Sequence, residues 1–397
     1  MKNVAIIGNG MAAVTAIREI RSFDEDIPID VFTEEHYTYY PRPKLIDYIR
    51  GDLDEDKVIQ YDANWYSEKL VNLHLSEKVH DIIPDSRSVL TKTNTYIGYD
   101  RILLAMGSRP FVPPIHGTEK KNVHVLRTLD DAVDIREAVK GTGREIIIGG
   151  GILGIELAAA IKHSGGDPIV ISNIGTLLPA QLDQGASNVL MSSLQRMGIS
   201  VLLGFSCSQV LGHELATGVM SDKGDKVKGD LIIIAAGIRA NTQIAKDAGL
   251  EIGPGKAILV DKYMQTSKRG IYAAGDCTEW NGICWGIIPV AIDTAKIAAQ
   301  NMINEGSAIY EGTTPSNTLQ VASIDLTSIG LFEPKSTEYE SIVMSRSEEG
   351  TYYKAVMKDH VVVGGISLGN RKVAMKLRKL IREKTDVSDV RHEIFEV

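Results

Sequence analysis

Apolar runs that stop abruptly at glycine recur along this chain. The run Val4-Ala5-Ile6-Ile7 meets Gly8-Asn9-Gly10-Met11-Ala12-Ala13, and Glu145-Ile146-Ile147-Ile148 meets Gly149-Gly150-Gly151-Ile152-Leu153-Gly154. Each predicts a buried strand, a tight turn and a helix, because an unbroken β-branched run suits a strand covered on both faces. Two further strands follow a related plan: Arg101–Leu104 leads into Ala105-Met106-Gly107-Ser108-Arg109-Pro110, and Asp230–Ala236 leads into Gly237-Ile238-Arg239-Ala240-Asn241. Later, Thr266–Gly270 precedes Ile271-Tyr272-Ala273-Ala274-Gly275-Asp276, a strand closing on an aspartate. Residues 287–303 carry an apolar face with Pro289 near the start, which predicts a helix.

Composition narrows the class. A chain of 397 residues, 44% hydrophobic, is too long for one ordinary core and too apolar for disorder. A net charge of -8 argues against a general nucleic-acid binder, whose footprint is basic. No apolar run approaches the ~20 residues that span a bilayer, and the start of the chain has no signal-peptide pattern. Three scattered cysteines form no disulfide framework, which points to a reducing compartment. A cytoplasmic, multi-domain protein without a membrane segment is expected.

The glycine spacing carries chemistry. In G-x-G-x-x-G/A the first glycine makes the turn and the second lets the backbone approach a pyrophosphate. The third small residue lets helix and strand pack closely, and the helix N-terminus faces the phosphates with free amides. Gly8, Gly10 and Ala13 fit this pattern, as do Gly149, Gly151 and Gly154. After the first repeat, the strand from Ile29 to Thr33 ends at Glu34, where an acid can bind a ribose hydroxyl; Glu35 is the adjacent rival. After the second, the strand from Ile169 to Ile171 ends at Ser172-Asn173, with neither the acid that marks NADH nor an arginine that marks NADPH. Ser172 can hydrogen-bond a ribose hydroxyl or a 2′-phosphate, so the choice between NADH and NADPH stays open.

Together these residues resemble the FAD-dependent pyridine nucleotide-disulfide oxidoreductases. Tyr40-Pro41-Arg42-Pro43-Lys44-Leu45, the G-I-R-x-N run at 237–241, and Ile271–Cys277 followed by Glu279 and Gly282 narrow the match. They resemble NAD(P)H:rubredoxin oxidoreductases and the related flavin module of assimilatory nitrite reductases. Met106 stands where the family more often has threonine. The tail, Tyr310-Glu311-Gly312 through Leu319, then Tyr352-Tyr353-Lys354 and Val363-Gly364-Gly365, is similar to the small C-terminal domain of rubredoxin reductases.

The resemblance implies an α/β fold with two Rossmann-like dinucleotide-binding domains (glutathione-reductase-like) and a small α+β C-terminal domain. The FAD-binding domain would be discontinuous, 1–112 and 238–308, with an NAD(P)-binding domain at 113–237 and the C-terminal domain at 309–397. It further implies that Gly8, Gly10 and Ala13 cradle the FAD pyrophosphate and Glu34 its adenosine ribose. Arg42 and Pro43 would lie near the flavin, Val79 near the adenine, and Asp276 on the ribityl chain. The turns at Ala105, Gly107 and Arg109, at Gly237 and at Gly275 would border the cofactors. Gly149, Gly151, Gly154 and Ser172 would hold NADH or NADPH, and Glu156 would face the nicotinamide. In several relatives an acid there pairs with a lysine; the expected position is Asp47 here, so Lys44, one turn earlier, is the candidate partner. The helix at 287–303 would aim its positive end at the flavin.

A redox disulfide needs a cysteine pair near the flavin. Cys207, Cys277 and Cys284 have no such spacing, and the nine histidines form no metal-ligand pattern. Electrons are therefore expected to leave for an outside acceptor, a rubredoxin-like iron-sulfur carrier. Arg371, Lys372, Lys376, Arg378, Lys379, Arg382 and Lys384 form a basic helix that either steers an acidic carrier or is simply solvated. Two other functions remain open: an NAD(P)H oxidase reducing oxygen, and an FAD-bound redox-sensing or interaction protein similar in domain plan to apoptosis-inducing factor. A monomer and a homodimer fit equally.

Overall fold

A computed structural model describes residues 3–92, 95–141, 143–313, 316–321, 324–334 and 336–397, with backbone alone at 316–321. The chain falls into two compact units. One comprises residues 1–44, 53–109 and 238–313; the other comprises 45–52, 110–237 and 314–397. Among the described residues, six helices exceed ten residues: α1 (Met11–Phe23), α2 (Leu129–Val139), α3 (Ile152–His163), α4 (Gln184–Arg196), α5 (Ile288–Ile303) and α6 (Arg371–Glu383). None is long and apolar enough to cross a membrane.

The first unit is built on a five-stranded parallel sheet, ordered Ile271–Ala273, Arg101–Leu104, Val4–Ile7, Ile29–Phe32, Val71–His74. All four residues of its central strand are buried, as the unbroken apolar run requires. Helices α1 and α5 pack on each other over small buried residues, Ala12, Ala13 and Ala16 on one and Ala291, Ala295 and Ala298 on the other. The predicted strand to Thr33 stops one residue earlier; the Thr33 amide completes the sheet by bonding the His74 carbonyl, and its hydroxyl accepts from the Glu35 amide.

The second unit repeats the plan. Its parallel sheet runs Ser200–Leu203, Pro168–Ser172, Glu145–Ile148, Leu231–Ile234, Val123–Val125. The glycine-bearing strand is again central, and its first residue again aligns with the first residue of each neighbour. The unit also holds a five-stranded antiparallel sheet, ordered Ser316–Val321, Ile324–Gly330, Val361–Leu368, Thr351–Lys358, Glu340–Arg346. Helix α6 covers it, burying Val373 and Leu377 in a core with Ala355, Met357 and Val362. Leu319, part of the tail motif, lies outside the residues whose side chains are described.

These two layers are joined by a buried ion pair. Asp183 caps α4 through the Ala186 amide and accepts from the Tyr352 hydroxyl and the Lys354 ammonium, each at 2.8 Å. Burial alone would raise the Asp183 pKa; the Ala186 amide, Lys354 and Tyr352 outweigh it and hold the carboxyl below its ordinary value.

Candidate functional site

The two glycine turns have nearly the same geometry. Gly8 and Gly149 sit at φ +106° and +136°, where a side chain is strained, and a Cβ there would stand 2.3 Å and 2.2 Å from the carbonyl oxygens of Ala105 and Ala235. At Gly154 a Cβ would meet the Gly149 oxygen at 2.1 Å, and Ala13, its counterpart, is wholly buried. Gly10 and Gly151 are the opposite case, since a Cβ on either would meet nothing within 4 Å. Open space therefore lies before the first amides of α1 and α3.

Those amides are unused by side chains. Helices α2, α4 and α6 are closed at their N-termini by Thr128, Asp183 and Asn370. Helices α1, α3 and α5 begin at Gly10, Gly151 and Ile287 with no side-chain cap. Leaving orphan amides at a helix start costs ~1 kcal/mol against a capped one. The same amides, with the helix dipole behind them, make an anion site. Open room and free donors at both turns fit a dinucleotide pyrophosphate.

Around the first turn the structure adds residues the motif did not reveal. The Tyr66 hydroxyl, whose pKa burial pushes well up, donates to the Asn9 side chain at 2.8 Å and fixes the turn. Glu34 is exposed and meets Lys78 at 2.9 Å. Glu35, its rival, is engaged elsewhere: Arg42 and Tyr40 both bond its carboxylate. Burial works against the Arg42 charge, but the Glu35 bonds prevail and hold its pKa above the ordinary value. Val79 is buried beside this group's sheet, and Pro43 is exposed. Gly275 lies between α1 and α5, its Cβ position 3.2 Å from Ala12 and 3.6 Å from Ala291, and its amide bonds the Thr294 hydroxyl. Asp276 accepts from the Ser108 hydroxyl at 2.8 Å. The turn at Ala105 to Gly107 is braced by Asn241, which bonds the Met106 and Gly107 carbonyls. Arg109 spends its guanidinium on the Ala240 carbonyl at 2.9 Å. Of these, Tyr66, Thr294 and Ser108 carried no sequence signal, because each acts from a distant segment.

Around the second turn, Ser172 is buried against Gly150, and its hydroxyl accepts from the Ile174 amide at 3.2 Å. Its proton remains available to donate. Gly237 has φ +103° and open space at its Cβ position. Glu156 stands half-buried on α3, in the unit other than that of Lys44. The Lys44 ammonium donates to the Lys57 carbonyl at 2.9 Å and the Val58 carbonyl at 3.4 Å.

All three cysteines are free thiols, and burial pushes each up to about 11. At neutral pH none is an effective nucleophile.

The chain matches the family described as pyridine nucleotide-disulphide oxidoreductase over residues 2–302. It belongs to that family. FAD and NAD(P)H are its cofactors. Residues 315–385 match the rubredoxin NAD+ reductase C-terminal domain. The chain is 32% identical over 389 residues to the nitrite reductase [NAD(P)H] of Bacillus subtilis, covering 98% of this chain and 48% of that protein. It thus spans about half the length of such relatives. It is 29% identical to the NADH-rubredoxin oxidoreductase of Clostridium acetobutylicum, covering 95% of this chain and 94% of the relative. The crystal structure of the NADH:rubredoxin oxidoreductase from that organism superposes with a TM-score of 0.81 at 26% identity, over 98% of each chain. An NAD-dependent persulfide reductase from A. fulgidus shares the fold at 24% identity, with a TM-score of 0.90 over 98% of this chain and 78% of that one.

Proposed function

We propose that this chain takes electrons from NAD(P)H onto FAD and delivers them to a small iron-sulfur carrier of the rubredoxin type. The observation that carries the reading is the end-to-end match to an NADH-rubredoxin oxidoreductase, C-terminal domain included. The thiols support it, since the three cysteines form no disulfide and burial pushes each up to about 11. FAD, when bound, supplies the conversion of a two-electron donor to a one-electron acceptor.

In this reading residues 1–112 and 238–308 form the FAD domain, 113–237 the NAD(P) domain and 309–397 the C-terminal domain. Gly8, Gly10 and Ala13 grip one pyrophosphate and Gly149, Gly151 and Gly154 the other. Glu34 accepts from the adenosine ribose and Asp276 from the ribityl hydroxyls. The uncapped start of α5 would turn its free amides and positive dipole end toward the bound flavin. The expected Lys44–Glu156 pair is not part of this reading, because the Lys44 ammonium is bonded to the Lys57 and Val58 carbonyls within its own unit. The exposed cations of α6, Lys372, Arg378, Lys379 and Arg382, steer an acidic carrier. Lys376 is not among them, because its ammonium is fixed to the Glu393 and Glu396 carbonyls, each at 2.7 Å.

Anaerobic stopped-flow mixing tests the reading. NADH or NADPH should bleach the flavin, and added oxidised rubredoxin should restore its absorbance while itself being reduced. A flavin that no nicotinamide bleaches overturns the proposal, and one that reoxidises only with oxygen replaces it with an oxidase. The match to the nitrite reductase favours a second acceptor, an iron-sulfur polypeptide serving nitrite reduction; exclusive transfer to such a partner would identify it. Charge reversal at Lys372 and Lys379 should slow carrier reduction several-fold at low salt and little at high salt.

A further inference from the structure

The first unit contains a cavity of about 470 Å³ on the paired faces of α1 and α5, a size usual for small-molecule sites. Of its lining residues only Met11 lies in a glycine turn, and none is a residue assigned above to FAD. Its body is apolar and aromatic: Met11 and Val14 from α1, Ile292 from α5, and Tyr39 and Tyr61 from the loops beside them. The two tyrosine rings are tilted by 32° with centroids 5.3 Å apart, and Tyr61 stacks on Trp65 at 4.3 Å. Tyr39 is buried, and its phenol is pushed up to about 12, so it stays neutral there.

The polar end of the cavity is cationic. Arg18, two turns along α1, and Lys296, on α5, both line it. Among the described residues neither makes an ion pair or hydrogen bond. The lining carboxylate, Glu19, is held by the Gln300 amide at 2.7 Å. Two like charges sharing one cavity repel each other, and an anion between them reverses the sign of that energy. An aromatic floor with unpaired cations at its rim is a recognition surface for a flat molecule carrying one acid group.

We propose that this cavity is a second ligand site, for a small aromatic carboxylate whose ring packs among Met11, Val14, Tyr61 and Ile292 and whose carboxylate meets Arg18 and Lys296. The ligand lies against α1 and α5, two helices with no side-chain cap at their N-termini.

Calorimetric titration of the FAD-loaded protein with 2-naphthoate tests the site, with 2-naphthalenemethanol as the uncharged counterpart. The acid should bind saturably at one site per chain, at least tenfold tighter than the alcohol. Arg18→Ala with Lys296→Ala should weaken it at least tenfold while NADH still bleaches the flavin at the wild-type rate. Equal binding of acid and alcohol, binding unchanged in the double variant, or release of FAD on titration would each overturn the proposal. Flavin bleaching by NADH in the same samples reports on the proposed function separately, so the two fail independently.

Discussion

The two glycine-turn repeats match at the turn and differ at the end of the following strand. At the pyrophosphate end they are nearly interchangeable: a central buried strand, a first glycine pressed against a neighbouring strand's carbonyl, and an uncapped helix. At the end proposed to meet the ribose, the first repeat presents the exposed carboxylate Glu34, the second the buried hydroxyl Ser172. Phosphate is held by backbone amides, which any sequence supplies once glycine permits the approach. Ribose is read by one side chain, and that is where evolution can retune a site at small structural cost. A carboxylate only accepts, whereas Ser172, its lone pair spent on Ile174, has a proton to donate.

The largest test of this comparison is to block each turn alone. Gly8→Ala should yield protein nearly free of flavin, whereas Gly149→Ala should keep FAD and weaken NADH binding by roughly 100-fold, or about 2.7 kcal/mol. The flavin-to-protein ratio and the KM for NADH separate the two, and loss of both cofactors in either variant would show that the turns are not independent.

Next comes a feature peculiar to the second repeat, the Asp183–Lys354 pair. Asp183→Asn leaves Lys354 buried without its counter-charge and should cost about 3 kcal/mol, seen as a lower denaturation midpoint. The pH dependence has a definite sign. The Asp183 carboxyl is depressed below its ordinary value of 3.8, so its contribution is fully present above that value and lost as pH falls through the lowered one. Acid unfolding curves of the wild type and Asp183→Asn should therefore converge at low pH.

Smaller effects probe the ribose ends. Ser172→Asp should raise the KM for NADPH by about tenfold relative to NADH, because a carboxylate repels the 2′-phosphate. Glu34→Gln should weaken FAD retention only a few-fold. Glu35→Gln should do more, since it releases Arg42 and Tyr40; equal effects would make Glu35 the ribose ligand.

Both strand–turn–helix repeats were legible because glycine at Gly8 and Gly149 is dictated by local backbone conformation, and local rules act over a few residues. The helix expected from residue 287 starts at Ile288, with Pro289 in its first turn. What the sequence could not reveal was tertiary. The bracing of Asn9 by Tyr66 joins residues 57 apart, and the Ser108–Asp276 bond joins residues 168 apart. The basic stripe of α6 was visible, but the diversion of Lys376 to the tail carbonyls depends on where the last residues fold. The cavity beside α1 and α5 was invisible too, since Arg18 and Lys296 meet only when the two helices pack.

In the proposed function FAD takes up the electrons of NADH and no thiol relays them. Anaerobic titration with NADH, followed by flavin absorbance, tests it directly. One NADH per bound FAD should complete the bleaching, because two electrons fill the only acceptor present. A requirement for two NADH per FAD, with thiols appearing as the second is consumed, would reveal a disulfide in the path and contradict the account.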